Sequence, residues 1–388
     1  MKMQWQDRPM RGAAVTTQEW STRADLAEAA IVTRNLRRLW GIPGTLLGVV
    51  AWPAVRRERL FFRWDYWWQA HLIDCAVDAA DREPTPLRRR RIVRIARTHR
   101  IRNLRGWTNS YYDDMAWLGI SLERAQRTQL IEHRSAIEAL EDSIFDSWAP
   151  EKGGGIPWCR GSDFYNTPAN GPGGIMLSRT GKVWRAEAMA DWIDDNLVDP
   201  TTHLIYDGTR PDRAPADPLD RAIYTYCQGV VLGLETELAV RIGEPRHAER
   251  VHRLMQAVAD QLTDKNVIVG GGGGDGGLFN GILARYLALV AVMLPGNSPE
   301  DTEARDLAAK IVLASAAAAW DNRLEVEEQP LWGRDWSVPA VLPGYGNTLA
   351  VFTGGTVHSS DIPERDYSVQ LSGWMLMEAA YVVSAAGY

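Results

Sequence analysis

The sequence predicts an all-α fold, an (α/α)6 toroid of six inner and six outer helices. Apolar residues recur with helical spacing along most of the 388 residues, and strand-like alternation is scarce. Segments that are apolar nearly all round alternate with segments that carry a charged stripe. Because the first kind is buried and the second kind faces water, the alternation predicts two concentric rings. Residues 1–388 are therefore expected to form one domain, with a flexible N-terminal segment over residues 1–18.

Several of the predicted helices have recognisable ends. Thr22 or Ser21 opens the first, Gly243 closes the eighth, and Pro299 starts the eleventh. The even-numbered segments are the predicted inner helices, and the odd-numbered ones are the outer helices. In chain order the predicted helices lie near residues 19–40, 66–81, 87–103, 111–121, 123–147, 169–180, 184–197, 220–242, 245–263, 277–293, 299–321 and 368–385.

Long polar and glycine-rich loops mostly precede the inner helices, which places them on one face of the toroid with the N-termini of those helices. Function commonly lies on such loops above a rigid scaffold. The glycine run Gly270–Gly277 lacks the Gly-Lys-Ser/Thr ending of a phosphate loop, so we interpret it as a mobile loop that forms a rim over the site. The loops span residues 152–168, 201–217, 269–276 and 331–366.

The composition is that of a soluble globular protein, with 45% hydrophobic and 24% charged residues. A net charge of −6 argues against nucleic acid as a partner. The chain has 17 Trp and only 6 Phe. Indole faces pack well in cores and also against the C–H faces of sugars, so the Trp surplus gives mild support for carbohydrate binding.

Neither a metal nor a cofactor is expected. The three cysteines, Cys75, Cys159 and Cys227, are far apart, and the histidines lack metal-ligand spacing. Residues 1–12 have no apolar core of a signal peptide, and the longest apolar stretches are broken by Pro43, Pro53 or Arg285. We therefore expect a cytoplasmic monomer without a transmembrane segment, with an extracellular or wall-associated location as the alternative.

The candidate catalytic residues are the adjacent Asp113 and Asp114, which stand between aromatic residues where an inner helix begins. The first turn of a helix favours negative charge. Two carboxyls this close resist ionising together, so we expect one pKa to be raised and the other lowered. One acid and one anion near neutral pH is the pair that glycoside cleavage requires. The alternative interpretation is a helix start that carries two solvated aspartates.

Other candidates are aromatic residues and amides in or beside the inner helices. The turn Gly153–Gly155 delivers Trp158, which either stacks on sugar or packs in the loop. Asn170 and Gln228 either bind sugar hydroxyls or satisfy the backbone. The predicted substrate-binding residues are Trp67, Trp68, Asn109, Tyr112, Trp117, Trp158, Asn170, Asp220, Tyr226, Gln228, Phe279 and Arg285.

An arginine-rich run extends from Arg88 to Arg105 in an otherwise acidic chain. We interpret it mainly as a solvated outer face that pairs with scattered acids. Weak contact with an anionic membrane or glycolipid is the second interpretation.

Taken together, these residues resemble glycoside hydrolase family 76, the endo-α-1,6-mannanases. The motifs are Trp67–Ala70, Asp113–Trp117, Gly153–Trp158, Asn166–Asn170, and the inner-helix residues Thr225–Gly229 with Phe279–Tyr286. Cys227, Asn280 and Leu118 depart from the residues common in that family. The resemblance implies an (α/α)6 barrel and a retaining mechanism, with Asp113 as nucleophile and Asp114 as acid/base.

The expected function is hydrolysis of α-1,6-mannosidic linkages in mannan or manno-oligosaccharides, with endo action implied by the resemblance. Two other functions remain open. A transglycosylase would use the same aspartates to pass the glycosyl unit to another sugar, and a non-catalytic glycan-binding protein would use them only as hydrogen-bond acceptors.

Overall fold

The computed structural model describes residues 15–213, 217–344 and 350–388. Twelve long helices and one single-turn helix account for most of this part of the chain. They are α1 (Thr17–Arg34), α2 (Arg56–Arg59, the single turn), α3 (Tyr66–Arg82), α4 (Pro86–Arg102), α5 (Tyr112–Arg127), α6 (Arg134–Phe145), α7 (Thr167–Arg179), α8 (Val183–Leu197), α9 (Thr225–Ile242), α10 (Pro245–Gln261), α11 (Phe279–Met293), α12 (Pro299–Asn322) and α13 (Tyr367–Ala385).

The helices form two concentric rings. Helices α3, α5, α7, α9, α11 and α13 each pack against the next, and α13 closes the ring onto α3. Outside them, α4, α6, α8, α10 and α12 each pack on the inner helix that precedes them, and α1 packs on α13. The predicted (α/α)6 toroid, including the division into inner and outer helices, is confirmed.

The inner ring is held tightly by small residues at the helix contacts. A Cβ on Gly229 of α9 would lie 2.9 Å from the Cα of Leu283 in α11. This contact is too short, so a larger residue at this position would push the two helices apart. The inner helices are accordingly buried on nearly all sides. One described stretch, Gly274–Met293, is long and apolar enough to cross a membrane, but 67% of its apolar window is buried inside the fold, as an inner helix requires.

Short antiparallel strands occupy the loops. In the order of their pairing they are β1 (Leu36–Arg37) with β2 (Leu47–Gly48), β3 (Tyr165–Asn166) with β4 (Gly208–Thr209) and β5 (Leu219–Asp220), β6 (Thr263–Asp264) with β7 (Val267–Ile268), β8 (Leu324–Val326) with β9 (Gln329–Leu331), and β10 (Val351–Thr353) with β11 (Thr356–His358). In the last hairpin, Val351 lies opposite His358 and Thr353 opposite Thr356.

Four predicted helix boundaries were wrong. The fifth long helix begins at Arg134 and not near residue 123. The first helix ends at Arg34, because Leu36–Arg37 pairs in a hairpin that the helical pattern hides. The fourth helix does not stop near residue 121 but continues to Arg127, where Arg124 is held by ion pairs with aspartates of α3. The eighth helix begins at Thr225 and not near residue 220, because Asp220 belongs to a strand.

The N-terminus is described only from residue 15 onward. Residues 1–14 of the predicted flexible segment lie outside the described residues. Helix α1 begins at Thr17, two residues earlier than predicted, and Thr16 caps it by accepting a hydrogen bond from the Glu19 amide. The Glu19 carboxylate in turn accepts a bond from the Thr16 amide, which completes a capping box.

Candidate active site

A cleft of about 1270 Å³ opens on the face where the inner helices begin. Its lining includes Asp65 and Trp67 from the start of α3 and the aspartate pair of α5. Further around the ring it includes Pro168 of α7, Tyr226 of α9 and Phe279 of α11. The β10–β11 hairpin closes one side. The prediction that these loops and the inner-helix N-termini share one face is confirmed.

Asp113 lies in the first turn of α5 with both carboxylate oxygens engaged. The Asp114 amide donates to Oδ1 at 2.9 Å, and the indole Nε1 of Trp158 donates to Oδ2 at 3.0 Å. Burial raises the pKa of Asp113 to about 7, although both hydrogen bonds favour the anion and hold the pKa below what burial alone would give. The carboxylate is therefore poised near neutrality, with its charge stabilised by two fixed donors.

Asp114 is the second carboxyl of the pair, and two effects oppose its ionisation. Burial raises its pKa well above the ordinary value, and the neighbouring Asp113 carboxylate raises it further. The Asn109 side-chain amide donates to Oδ2 of Asp114, which leaves Oδ1 to carry the proton. The same Asn109 accepts the Tyr111 amide through its own oxygen at 2.9 Å, so the loop fixes its orientation. Burial and the neighbouring charge therefore both favour the protonated form of Asp114.

The expected splitting of the two pKa values was wrong in sign for one member of the pair. Both pKa values are raised, whereas the sequence predicted that one would be lowered. The reason is that the start of α5 lies within a cleft, where loss of water opposes ionisation of both carboxyls. The like-charge repulsion then decides which of the two keeps its proton longer.

Asp275 was missed as a site residue. It lies in the glycine run before α11, and its Oδ1 accepts hydrogen bonds from the indoles of Trp67 and Trp68 at 3.1 and 3.0 Å. Its Oδ2 accepts from the Val357 amide at 2.7 Å. Its negative charge raises the pKa of both Asp113 and Asp114. The only sequence signal was a lone carboxylate within glycines, which is also typical of an ordinary turn.

The glycine run is a packed rim and not a loosely attached loop. The Gly274 amide donates to Asp366 Oδ2 at 2.7 Å, and Ser368 donates to the Gly274 carbonyl. Gly273, Asp275 and Gly276 line the cleft, as the predicted rim requires. The predicted mobility is not supported by these contacts, because the amide and the carbonyl of Gly274 are bonded to Asp366, just before α13, and to Ser368, in its first turn.

Two further carboxyls in the cleft have pKa values raised to about 7. Asp65, at the N-cap of α3, is desolvated and is bonded by Arg63 at 3.0 Å. Asp207 is desolvated and lies near the charges of Asp220 and Asp113. The cleft is therefore rich in carboxyls that can exchange protons near neutral pH, which is typical of an active site.

The walls of the cleft are aromatic. Tyr226 and Phe279 stack at 4.0 Å with their planes 20° apart. Trp158 meets Tyr111 edge to face at 5.2 Å. Trp117 packs against His71, whose burial lowers its pKa to about 3 and keeps it neutral. Flat apolar faces beside carboxyls suit the alternating C–H and hydroxyl surfaces of a sugar.

Half of the predicted substrate-binding residues line this cleft together with the aspartate pair. They are Trp67, Asn109, Trp117, Trp158, Tyr226 and Phe279. The other half have structural partners. Trp68 is fully buried and bonds Asp275, Tyr112 packs on the core, and Asp220 lies on β5 beside Arg210.

Asn170 and Gln228 are occupied by backbone. Each side-chain amide accepts the N–H and donates to the C=O of a single loop residue, Ile156 for Asn170 and Ile205 for Gln228. Both are fully buried. Their predicted contact with sugar is therefore replaced by a clamp that ties each loop to its inner helix.

Arg285 lies within the inner ring and not in the cleft lining. It pairs with Asp74 at 3.1 Å and with Asp78 at 2.6 Å, and Arg124 pairs with the same two carboxylates. These four charges form a buried network between α3, α5 and α11. The sequence pattern could not separate a buried ion pair from a sugar contact.

One described group of residues could hold a metal ion. Ligand atoms of Glu187, Glu244 and His247 lie within 4.8 Å of one another, outside the cleft lining. Arg246 pairs with both glutamates, so a guanidinium already compensates their charge. This group has no evident connection to the aspartate pair.

The fold and the acid pair in an aromatic cleft define a helical-toroid glycoside hydrolase. The family model for glycosyl hydrolase family 76 matches residues 26–361, and the chain belongs to that family. No curated protein sequence matches this chain significantly.

Solved structures show the same fold. The α-1,6-mannanase GH76A of a Salegentibacter species (strain HEL1_6) is 25% identical, over 94% of this chain and 99% of that chain, with a TM-score of 0.76. An inactive variant of it, with two consecutive aspartates replaced by asparagine, was solved with α-1,6-mannotriose and is 24% identical over the same shares with the same TM-score. Dfg5 of Chaetomium thermophilum, solved with glucosamine, is 16% identical over 97% and 93%, with a TM-score of 0.71.

Proposed function

We propose that this glycoside hydrolase cleaves α-1,6-mannosidic linkages within mannan chains and retains the anomeric configuration. The observation that carries the proposal is the adjacent carboxyl pair, Asp113 and Asp114, in an aromatic cleft, where the charge of Asp113 raises the pKa of Asp114 and so favours a protonated acid there. The similarity to an α-1,6-mannanase supports the choice of glycan.

In the first step Asp113 acts as the nucleophile. A carboxylate oxygen attacks the anomeric carbon, the bond to the leaving oxygen breaks, and Asp114 gives its proton to that oxygen. Before the attack, the Trp158 indole and the Asp114 amide stabilise the Asp113 carboxylate through their hydrogen bonds. The product is a glycosyl-enzyme and a shortened chain.

In the second step Asp114, now a carboxylate, takes a proton from water. The water oxygen attacks the anomeric carbon, the ester bond to Asp113 breaks, and both carboxyls return to their starting states. Asn109 stabilises the anionic form of Asp114 through its bond to Oδ2. Two displacements at one carbon leave the configuration unchanged.

The size of the cleft supports endo action. Its volume of about 1270 Å³ exceeds the range of about 300–1000 Å³ that is typical of sites for a single small ligand. Aromatic residues line the cleft at more than one place around the ring. Trp158 and Tyr111 contact each other beside Asp113, and Tyr226 on α9 stacks on Phe279 on α11. Several sugar units of one chain can then contact the enzyme at the same time.

The direct test is incubation of the purified protein with linear α-1,6-mannan and separation of the products by size. Endo hydrolysis predicts a ladder of oligosaccharides from the first minutes. Asp113→Asn and Asp114→Asn should fold and lose activity by about 100-fold or more. Asp163→Asn, which changes an exposed carboxylate, is the matched control and should remain active.

Each competing function has its own signature in this experiment. Elongated products in the presence of a mannoside acceptor would favour the transglycosylase. Binding of mannan without turnover by the wild-type protein would favour a glycan-binding protein. Near wild-type turnover by either asparagine variant would overturn the assignment of the aspartate pair.

A further inference from the structure

Positive charge is concentrated in two segments of this acidic protein. Residues 36–64 and 86–110 contain fifteen arginines and a single acid, Glu58, although the whole chain has a net charge of −6. Glu58 is buried and pairs with Arg365 at 2.6 Å. The two segments therefore present arginines to solvent without an exposed carboxylate of their own.

The two segments form one continuous surface, which we name the arginine face. The Leu46 amide donates to the Thr98 hydroxyl at 2.8 Å, and Arg102 donates to the Phe61 carbonyl at 2.9 Å. The Trp40 indole donates to the Leu60 carbonyl at 2.7 Å. Beneath them lies a separate apolar cluster of Leu39, Leu47, Val49 and Phe61, with Ile101 packed against it.

Most arginines on this face have no acidic partner. Arg88 and Arg91 do pair with Glu28, as expected for part of the run. Among the described residues, no ion pair is formed by seven exposed members of the face. These are Arg56, Arg57, Arg59, Arg90, Arg94, Arg97 and Arg105.

Large apolar side chains project from the same face. Leu104 is 91% exposed and Phe62 is 75% exposed, and Trp40 is 54% exposed. Leu104 and Arg105 both sit at positive φ, 53° and 68°, in the loop that follows α4. A solvated charged surface has no use for such apolar tips, whereas a membrane interface inserts them below the level of the headgroups.

We propose that the arginine face docks the enzyme on an anionic phospholipid membrane. The unpaired guanidinium groups meet the lipid phosphates, and Trp40, Leu104 and Phe62 enter the interface. A polyanion in solution, such as nucleic acid, would use the charges but would gain nothing from the exposed leucine.

The face adjoins the mouth of the cleft. Arg57, Phe62 and Arg102 belong to the arginine face and also line the cleft. A membrane-bound enzyme would therefore hold the cleft close to the lipid surface, where mannan attached to an anionic lipid could enter. This last step rests on the proposed function, whereas the docking itself does not.

The test measures co-sedimentation of the full protein with vesicles. Phosphatidylcholine vesicles are compared with vesicles in which about one-third of the lipid is phosphatidylglycerol, at low and at physiological salt. Binding is expected to the anionic vesicles only. A triple variant, Arg56→Glu, Arg59→Glu and Arg105→Glu, should bind about tenfold more weakly or worse. A second variant, Trp40→Ser with Leu104→Ser, should lose binding by a similar factor.

The controls separate docking from folding and from catalysis. Arg134→Glu, Lys265→Glu and Lys310→Glu reverse the same number of charges at exposed sites elsewhere and should bind as wild type does. None of the altered residues lines the cleft, so hydrolysis of soluble manno-oligosaccharide should be unchanged in all variants. Failure of that hydrolysis in the wild type would contradict the proposed function alone.

Three results would overturn the docking proposal. The first is no binding of the wild type to anionic vesicles. The second is equal binding by the arginine-face triple variant and its control. The third is full binding by the Trp40 and Leu104 variant, which would show a polyanion site without membrane insertion.

Discussion

At the scale of single residues, the chemistry depends on how the cleft distributes protons. Asp113, Asp114, Asp65 and Asp207 are all carboxyls whose pKa values are raised by burial. A buried carboxyl that must ionise destabilises the folded state, because the unfolded chain ionises more easily. The environment that raises the pKa values of the pair therefore also costs stability.

Replacing Asp113 by Asn is expected to stabilise the protein at alkaline pH. The folded carboxyl keeps its proton up to about pH 7, whereas the ordinary pKa is 3.8. The stability that protonated Asp113 contributes to the folded state is thus complete below about pH 4, and it is lost as the pH rises to about 7. At pH 8, Asp113→Asn should exceed wild type by about 1–2 kcal/mol in unfolding free energy, after a discount for partial solvent access. Near pH 4 the difference should vanish.

Denaturant unfolding at the two pH values measures this effect. Asp163→Asn, at an exposed carboxylate, is the control and should show no such gain. A wild-type protein that is as stable as Asp113→Asn at pH 8 would show that Asp113 is not held in a desolvated site.

Two variants should move the acidic limb of the pH profile of kcat/KM in opposite directions. Asp275 raises the pKa of Asp113 through its charge, and the Trp158 indole lowers it through a hydrogen bond. Asp275→Asn should therefore shift the acidic limb of kcat/KM to lower pH, and Trp158→Phe should shift it to higher pH. Asp163→Asn should leave it in place. Shifts of the same sign in both variants would mean that another group controls the limb.

The sequence predicted that Asp113 and Asp114 begin an inner helix, but it did not predict their surroundings. The helical pattern and the flanking aromatics indicate where the pair begins a helix. They do not indicate that Asp275 lies within the same cleft, because it is 161 residues beyond Asp114 in the chain. That proximity is created by ring closure, which brings the α11 loop against Trp67 and Trp68.

At the scale of elements, the site is assembled by loops that the inner helices hold in place. Gln69 clamps Gly48, Asn170 clamps Ile156, Gln228 clamps Ile205, and Gln370 clamps Trp332, each by accepting the N–H and donating to the C=O of that residue. Four inner helices thus repeat one device near their N-termini. The sequence predicted buried amides, but a pair of backbone bonds and a sugar hydroxyl satisfy an amide equally well.

The β10–β11 hairpin offers a matched pair of glycines for testing its contact with the site. Both Gly354 and Gly355 have positive φ, so alanine is strained at either position. A Cβ on Gly355 would lie 2.6 Å from the Trp158 ring, whereas one on Gly354 would meet nothing within 4 Å. Gly355→Ala should displace Trp158 and lower kcat/KM by about ten- to 100-fold.

Gly354→Ala carries the same backbone strain without the clash, and it should stay close to wild type in kcat/KM. Steady-state kinetics on a manno-oligosaccharide compares the two. Equal losses in both variants would mean that hairpin strain, and not the position of Trp158, determines the effect.

At the scale of the whole molecule, the toroid is closed by helix packing and by buried charges that cross the ring. The periodicity of the sequence predicted this architecture well, because twelve paired amphipathic and apolar helices have few other ways to bury their faces. The periodicity could not predict which polar residues of the inner helices form ion pairs with each other across the ring. Arg285 illustrates this, because its guanidinium forms ion pairs with Asp74 and Asp78.

Arg285→Met should therefore destabilise the fold without weakening substrate binding. Removal of the guanidinium leaves Asp74 and Asp78 with Arg124 alone, at an expected cost of about 3 kcal/mol in unfolding free energy. KM should remain at the wild-type value. Arg127→Met, which removes an exposed pair with Glu123, is the control and should cost about 0.5 kcal/mol or less. A raised KM with unchanged stability would restore Arg285 as a sugar contact.

The most direct test of the central claim is proton NMR of the first products released from a linear α-1,6-manno-oligosaccharide, recorded before mutarotation. Neighbouring Cα atoms lie about 3.8 Å apart, so adjacent aspartates favour the short carboxyl separation of retaining enzymes. A double displacement through Asp113 and Asp114 predicts that the new reducing end appears first as the α anomer. Initial appearance of the β anomer would contradict a covalent intermediate on Asp113.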